Sequence, residues 1–209
     1  MTERLNSPEK IKIEKRIVTL IGPEGSGKTT QAIKLAEETG LPYVTTGDTL
    51  RDLAANDPGE LGEECRMMFA EGSYLSGETL LRILVERFGR SDVSNGLILD
   101  GGLRTLNETI DFQAMLDRAG LNLPMTVIYL QIPEADTFER LVRGKNARKR
   151  ADDTEELVTM RLAKFNLNLD ERLEVINKES GWDIVCCDAS EETESVYNQI
   201  CRSLTGMKI

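Results

Sequence analysis

Eight residues near the N-terminus have the types and spacing of a phosphate-binding loop. Residues 22–29 read G-P-E-G-S-G-K-T, which matches the pattern G-x-x-x-x-G-K-[ST]. Glycines here let several backbone N–H groups turn toward one anion, and the start of the following helix adds the positive end of its dipole. Lys28 is expected to reach the β- and γ-phosphates of a nucleotide, and the Thr29 hydroxyl to bind Mg²⁺. The loop therefore predicts binding of a nucleoside triphosphate.

The segments on both sides of this loop favour a binding site over a glycine-rich turn that holds no ligand. Residues 16–21 read R-I-V-T-L-I, which is typical of a buried strand. Residues 30–39 have a helical pattern that Gly40 ends. Strand, loop and helix in this order are the context that the phosphate-binding motif requires.

The composition limits the chemistry that the chain can perform. A length of 209 residues suits one α/β domain, and a net charge of −10 argues against binding of nucleic acid or of an anionic membrane. The sequence contains no histidine, so imidazole acid–base catalysis and the commonest metal ligand are absent. Catalysis must therefore work by positioning and charge.

The location of the protein is predicted from its cysteines and its apolar runs. The four cysteines form no C-x-x-C pair, which favours reduced thiols in a cytoplasmic protein. No apolar run reaches the length of a membrane span, and residues 1–15 lack the apolar stretch of a secretory signal. We expect a cytoplasmic monomer that binds no membrane, with residues 1–15 as an N-terminal arm.

Strand-like and helix-like segments alternate along the chain. Strands are predicted at residues 16–21, 41–45, 96–100, 125–131 and 182–187. Helices are predicted at residues 28–39, 48–55, 61–70, 76–89, 105–119, 134–142, 153–178 and 191–204. Near-continuous apolar strands that alternate with helices predict a three-layer α/β/α fold around a five-stranded parallel sheet. In the long helix at 153–178, a helical spacing predicts a face toward the core rather than a partner site. It is formed by Leu157, Met160, Lys164, Leu167 and Glu171, with Phe165, Leu169, Leu173 and Ile176 widening the apolar stripe.

Two regions interrupt this alternation. Residues 46–95 contain helical patterns and no good strand, which predicts a helical insert. The other region, between Arg140 and Asp152, is basic and contains no acidic residue. Its cations are Arg140, Arg143, Lys145, Arg148, Lys149 and Arg150. A solvated charge run is the alternative, but in so acidic a chain this cluster favours a flap that closes over phosphates.

Three further motifs occur in order after the phosphate-binding loop. Residues 46–51 read T-G-D-T-L-R, residues 99–105 read L-D-G-G-L-R-T, and residues 150–153 read R-A-D-D, with Arg161 eight positions later. From about residue 17 to 204, the chain resembles the adenylate kinase family of nucleoside monophosphate kinases, which shows T-G-D-x-L-R, D-G-F-P-R-T and R-x-D-D in these places. The resemblance implies a P-loop NTPase-like fold with a helical monophosphate-binding insert and a short lid.

The resemblance also implies a reaction and the residues that carry it. The reaction is reversible, Mg²⁺-dependent transfer of the γ-phosphoryl group of ATP to AMP, giving two ADP. The implied ATP-binding residues are Gly25, Ser26, Gly27, Lys28, Thr29, Thr30, Arg140 and Arg150. The implied monophosphate-binding residues are Thr46, Arg51, Gly101, Arg104, Glu108, Arg150 and Arg161. The implied catalytic residues are Lys28, Arg104, Arg140, Arg150 and Arg161.

Acidic residues near these motifs have implied roles of their own. Asp100 resembles the carboxylate that orients Mg²⁺ through water beside Thr29, with a turn or helix-capping residue as the alternative. Asp152 and Asp153 are expected to organise the arginines and cap the following helix, as Asp48 is expected to cap its own. The implied domains are a kinase core at 16–204 with an insert at 46–95, a lid at 140–152 and a tail at 205–209.

The chain departs from the family pattern at several positions. Its phosphate-binding loop differs from G-x-P-G-x-G-K-G-T and is closer to that of thymidylate kinases. Gly102 and Leu103 replace F-P, which is expected to loosen that turn. Glu108 replaces a glutamine that reads adenine, and a carboxylate suits guanine better. A lid arginine of the family falls on Gly144, so Arg143 is the candidate replacement.

These departures leave alternatives open. One is a kinase for another monophosphate, such as GMP, UMP, CMP or dTMP. The other is a nucleotide-binding regulator with the same fold.

Overall fold

A five-stranded parallel sheet forms the centre of the fold. The computed structural model describes residues 11–71, 77–148 and 153–206. The strands are β1 (Arg16–Ile21), β2 (Tyr43–Thr45), β3 (Gly96–Asp100), β4 (Met125–Gln131) and β5 (Trp182–Asp188), in the spatial order β2-β3-β1-β4-β5. All the pairs are parallel, so the carboxyl ends of the strands meet at one edge. The predicted parallel sheet is confirmed, with β2 shortened because it begins after Pro42.

Helices cover both faces of the sheet. They are α1 (Lys28–Thr39), α2 (Thr46–Asn56), α3 (Glu60–Glu71), α4 (Gly77–Phe88), α5 (Leu106–Arg118), α6 (Glu134–Phe138), α7 (Glu155–Asn166), α8 (Leu169–Lys178) and α9 (Thr193–Thr205). A 3₁₀ turn forms at Ser91–Val93, and a π-helical segment at Glu139–Arg143 continues α6. No helix of the described ranges is long and apolar enough to span a membrane.

Successive residues of the central strand serve two separate cores. Ile17 and Ile21 of β1 pack with residues of α4, α5 and α8 on one face of the sheet. Val18 and Leu20 of β1 pack with residues of α1 and α9 on the other face. This alternation follows from the pleat of the strand and confirms the predicted three-layer fold.

The prediction of one long helix over residues 153–178 is wrong. Asn168 has a left-handed backbone, with φ of 56°, and separates α7 from α8. Asparagine tolerates this conformation better than most residues, so the chain can turn here. Of the expected core face, Leu157, Met160 and Leu167 are 37%, 62% and 66% exposed, whereas Ile176 of α8 is buried in the core and Leu173 packs against it. The residues that α7 buries are Val158 and Leu162, which pack against Leu141 of the π-helical segment. 

The predicted helical insert has a core of its own. Leu50 and Leu53 of α2 pack with Cys65 and Met68 of α3 and with Ile83 of α4. Part of the predicted insert, residues 72–76, lies outside the described residues.

The two ends of the chain and the predicted lid are described in part. Of the predicted arm, residues 1–10 lie outside the described ranges, whereas the Ile11 N–H donates to the Glu38 carbonyl at 2.9 Å. Residues 149–152 of the predicted lid and 207–209 of the predicted tail also lie outside them.

Candidate active site

The phosphate-binding loop lies between β1 and α1, at the edge where the strands end. Gly22 has a φ of 151°, and a Cβ there would lie 2.7 Å from both the Leu130 carbonyl and the Ser26 hydroxyl. Gly27, which precedes α1, has a left-handed φ of 89°. Both positions require glycine, because a side chain would collide at the first and strain the backbone at the second. The loop therefore has the curled backbone that the motif predicts.

The Lys28 side chain folds back into this loop. Its ammonium group donates to the carbonyl oxygens of Gly22 and Pro23, each at 2.8 Å. Burial lowers the pKa of Lys28 to about 8, an effect that the charge of Asp100 opposes and the charge of Arg104 reinforces. The cation thus lies inside the loop, where the phosphates of a bound nucleotide would compensate its desolvation.

Asp100 accepts hydrogen bonds from two hydroxyl groups. Its Oδ2 lies 2.6 Å from the Thr29 Oγ1 and 2.9 Å from the Tyr43 hydroxyl. Thr29 lies in the first turn of α1, and Asp100 ends β3, the strand beside β1. Adjacent hydroxyl and carboxylate oxygens suit Mg²⁺, which prefers oxygen ligands and binds through few protein groups. Sequence reasoning missed Tyr43, whose only signal is its place on the neighbouring strand.

In the described ranges, no three His, Cys, Asp or Glu side chains form a group that could hold a metal. A metal at Thr29 and Asp100 would therefore draw its other ligands from water and nucleotide phosphates.

The motifs at 46–51 and 99–105 contact each other. The Thr46 hydroxyl is buried and donates to the Gly101 carbonyl at 2.9 Å. A Cβ on Gly101 would lie 2.5 Å from the Arg104 Nη2, so glycine here makes room for that guanidinium. The charge of Arg104 is among those that lower the pKa of Lys28, after burial as the main cause.

Arg51 and Asp48 form an exposed ion pair on α2. Asp48 was expected to cap this helix, but the cap is Thr45, whose hydroxyl accepts from the Asp48 N–H at 2.8 Å. The structure therefore gives Asp48 a different role, that of holding the Arg51 guanidinium.

Two arginines of the basic region and α7 meet a carboxylate of the phosphate-binding loop. Glu24 contacts Arg148 at 2.7 Å and Arg161 at 2.9 Å. Asp153, whose carboxylate is buried, accepts from the Arg148 Nε at 2.8 Å and lies 3.4 Å from Arg161. As expected, Asp153 organises the arginines. The cap of α7 is instead Thr154.

The other arginines of the basic region make different contacts from one another. Arg140 donates to the Gly25 carbonyl at 3.3 Å and to the Ser190 carbonyl at 3.2 Å, so it lies beside the loop as predicted. Arg143, the candidate replacement for the family's lid arginine, pairs with Glu155 at 2.8 Å, and Arg148 contacts the loop through Glu24. Sequence reasoning listed Arg148 only among six basic residues, because no spacing rule singles it out. Arg150 lies outside the described residues.

Comparison with known proteins identifies the family. The family model described as adenylate kinase matches residues 20–180. The chain belongs to the adenylate kinase family. An adenylate kinase of Micrococcus luteus is 35% identical over 144 residues, which cover 68% of this chain and 69% of that protein. An adenylate kinase of Xanthomonas campestris pv. campestris (strain B100) is 38% identical over 146 residues, covering 69% and 76%, and one of Xylella fastidiosa (strain M23) is 36% identical over 150 residues, covering 71% and 79%.

Glu108 of this adenylate kinase family member contacts the backbone of the turn before α5. Its buried carboxylate accepts from the backbone N–H groups of Leu103, at 3.0 Å, and Arg104, at 2.9 Å. Burial raises the pKa of Glu108, an effect that these backbone hydrogen bonds and the charge of Arg104 oppose. The role of reading the acceptor base stays a prediction, and in this structure both Glu108 oxygens bind the turn before α5.

Proposed function

We propose that the protein is an adenylate kinase that transfers the γ-phosphoryl group of ATP reversibly to AMP and so forms two ADP. The observation that carries this proposal is the convergence of cations from separate segments on the phosphate-binding loop. Arg140 donates to the Gly25 carbonyl at 3.3 Å, and Arg148 and Arg161 contact Glu24 of the loop at 2.7 and 2.9 Å. Transfer between two nucleotides requires this arrangement, because two polyanions must be held in line with their repulsion cancelled.

The proposed roles follow from position. The amides of residues 25–30 and the Lys28 ammonium hold the phosphates of ATP, and Arg51 with Arg104 binds the α-phosphate of AMP. In the reaction, an α-phosphate oxygen of AMP bonds to the γ-phosphorus while the bond to the β,γ-bridging oxygen breaks and ADP leaves. The arginines that would surround the transferring group are Arg140, Arg148, Arg150 and Arg161.

Mg²⁺ is the metal that the site fits. The Thr29 hydroxyl would contact it, and Asp100 would orient it through water, since the two oxygens lie 2.6 Å apart. Bound there with ATP, the ion would neutralise part of the phosphate charge.

We also propose that residues 46–95 and 140–152 act as the acceptor-side and donor-side lids. Closure of both would exclude water and protect the γ-phosphoryl group from hydrolysis. The net charge of −10 and the four free thiols support a cytoplasmic enzyme whose partners are nucleotides rather than nucleic acids, and we propose that it is a monomer.

A coupled assay tests the proposed reaction. Purified protein with ATP and Mg²⁺ receives AMP, GMP, CMP, UMP and dTMP in parallel, and diphosphate formation is followed. We expect AMP to be the fastest acceptor, as the names of the relatives indicate, and Lys28→Ala to lower turnover by about 10²-fold or more. Preference for another base would contradict the assignment of AMP, and binding of ATP without transfer to any acceptor would favour the regulator.

A further inference from the structure

Two buried side chains bind every backbone polar group of Leu103 and Arg104. Glu108 of α5 accepts from both N–H groups, at 3.0 and 2.9 Å. Arg172 of α8 donates through its Nη1 to both carbonyl oxygens, at 2.9 and 3.1 Å. The dipeptide that carries the predicted acceptor arginine is therefore held from two sides by groups of opposite charge. We call this arrangement the Glu108–Arg172 clamp.

The clamp is a buried pair of charges. Arg172 is 1% exposed and Glu108 is 4% exposed. The other Arg172 nitrogen, Nη2, donates to the Phe165 carbonyl, and the guanidinium lies 5.1 Å from the centre of the Phe165 ring. Buried charges are retained in proteins when their partners satisfy them, so two ions at one turn require a reason beyond filling the core.

Two departures from the family pattern, Leu103 in place of proline and Glu108 in place of glutamine, are both needed for this clamp. Leu103 stands where the pattern has proline, and its φ of 56° is one that proline cannot adopt. Leucine at this position also retains the N–H group that Glu108 binds. A glutamate in place of glutamine is what allows both oxygens of one side chain to accept hydrogen bonds. The turn expected to be loose is thus held by its own set of contacts.

We propose that Glu108 and Arg172 are positioning residues that fix the backbone of Arg104 and thereby aim its guanidinium at the acceptor α-phosphate. This inference rests on the proposed function for the identity of the acceptor. It makes Glu108 a residue that supports catalysis without touching the base. The guanidinium of Arg104 has a defined place above Gly101, where any Cβ would collide with it. A shift of the backbone at residue 104 would move the cation away from the phosphate that it must bind.

Kinetics with several acceptors separate positioning from base reading. Glu108→Gln keeps the size of the side chain but turns an amide NH₂ toward one of the two N–H donors. We expect kcat/KM to fall by about tenfold for every accepted monophosphate, by the same factor, with KM for ATP changed by less than about twofold. A residue that reads the base would instead change the ratio between AMP and GMP. Such a change of selectivity would overturn the proposal.

A double-mutant cycle tests whether Glu108 acts through Arg104. In an Arg104→Ala background, Glu108→Gln is expected to lower kcat/KM by less than about twofold, because no guanidinium remains to be aimed. Independent, multiplicative losses would contradict positioning. Arg172→Lys keeps the positive charge but replaces the guanidinium by a single ammonium group. It is expected to retain more activity than Arg172→Met, which has neither charge nor donor. Trp182→Phe, which removes a hydrogen bond to Gln113 on α5, is the control for a loss of stability alone.

Hydrogen exchange tests the clamp without any activity. The amides of Leu103 and Arg104 are expected to exchange at least about tenfold faster in Glu108→Gln than in the native protein, while those of β1 are unchanged. This result would support the clamp even if the native protein transferred phosphate to no acceptor, so that failure of the proposed function and failure of the clamp are distinguishable. Unchanged protection at both amides would overturn the proposal.

Discussion

The Glu24 carboxylate of the phosphate-binding loop lies 2.9 Å from the Arg161 guanidinium of α7, 137 residues away in the chain. It also pairs with Arg148, at 2.7 Å. A carboxylate presents two anionic oxygens to these guanidinium groups in the way that a phosphoryl group would. If the two arginines bind the transferring phosphoryl group, as proposed, ATP must displace Glu24 from both.

Removal of the Glu24 charge is therefore predicted to strengthen ATP binding. In Glu24→Gln the two arginines lose their anionic partner, and we expect the dissociation constant of ATP to fall by about fivefold, since a partly exposed ion pair contributes about 1 kcal/mol. Isothermal titration calorimetry at fixed ionic strength measures this change. Glu155→Gln, which breaks the exposed pair with Arg143, is the matched control for loss of one negative charge. Equal effects of the two variants would attribute the change to net charge instead.

ATP binding is predicted to take up a proton near pH 8. The pKa of Lys28 is about 8 in the free protein because burial disfavours its charged form, and bound phosphates would raise it. As the pH rises above about 8, the free protein loses this proton, so ATP affinity is expected to fall by up to about tenfold per pH unit. Calorimetry at pH 8.5, in two buffers of different ionisation enthalpy, detects the uptake. Lys28→Arg stays charged throughout, so proton uptake in that variant, or none in the native protein, would contradict the assignment.

The Thr29 hydroxyl is predicted to set the Mg²⁺ requirement. Thr29→Val keeps the shape of the side chain but removes the oxygen that lies 2.6 Å from Asp100. We expect the Mg²⁺ concentration for half-maximal activity to rise by about three- to tenfold, because the loss of one polar contact costs about 1 kcal/mol. Tyr43→Phe removes the other hydroxyl on Asp100 and leaves Thr29 in place. If both variants shift the Mg²⁺ titration equally, the Thr29 hydroxyl does not bind the metal directly, and the effect arises from the lost hydrogen bond to Asp100.

Arg172 is predicted to contribute strongly to the stability of the fold. Arg172→Met removes a buried cation whose charge favours ionised Glu108 and frees the carbonyl groups of Leu103, Arg104 and Phe165, so we expect a loss of about 3–5 kcal/mol in the free energy of unfolding. Urea denaturation measures it. On the same helix, Lys178→Met breaks an exposed pair with Glu174 and is expected to cost less than about 0.5 kcal/mol. Similar costs for the two variants would show that the clamp does not hold the fold together.

The local sequence pattern was sufficient to predict the central strands and the phosphate-binding loop of this protein. Strands β1, β3 and β4 have the predicted bounds, because continuous apolar runs between turn residues are typical of buried strands. The phosphate-binding loop was predicted from spacing alone, since its function depends on backbone geometry that glycines at fixed positions permit. The break at Asn168 was not predicted, because the apolar period continues across it and only the packing of α7 and α8 reveals the turn.

By itself, the sequence determined the order of strands and helices, the phosphate-binding loop and the motifs of an adenylate kinase, all of which depend on residues close together in the chain. Only the tertiary structure decided which side chains meet. Arg148 reaches Glu24 across 124 residues, and Glu108, which was expected to read the acceptor base, binds the backbone of the turn at Leu103. The physical reason is that an ionic side chain has several partners within its reach. Which one it takes depends on burial and on segments that folding brings beside it.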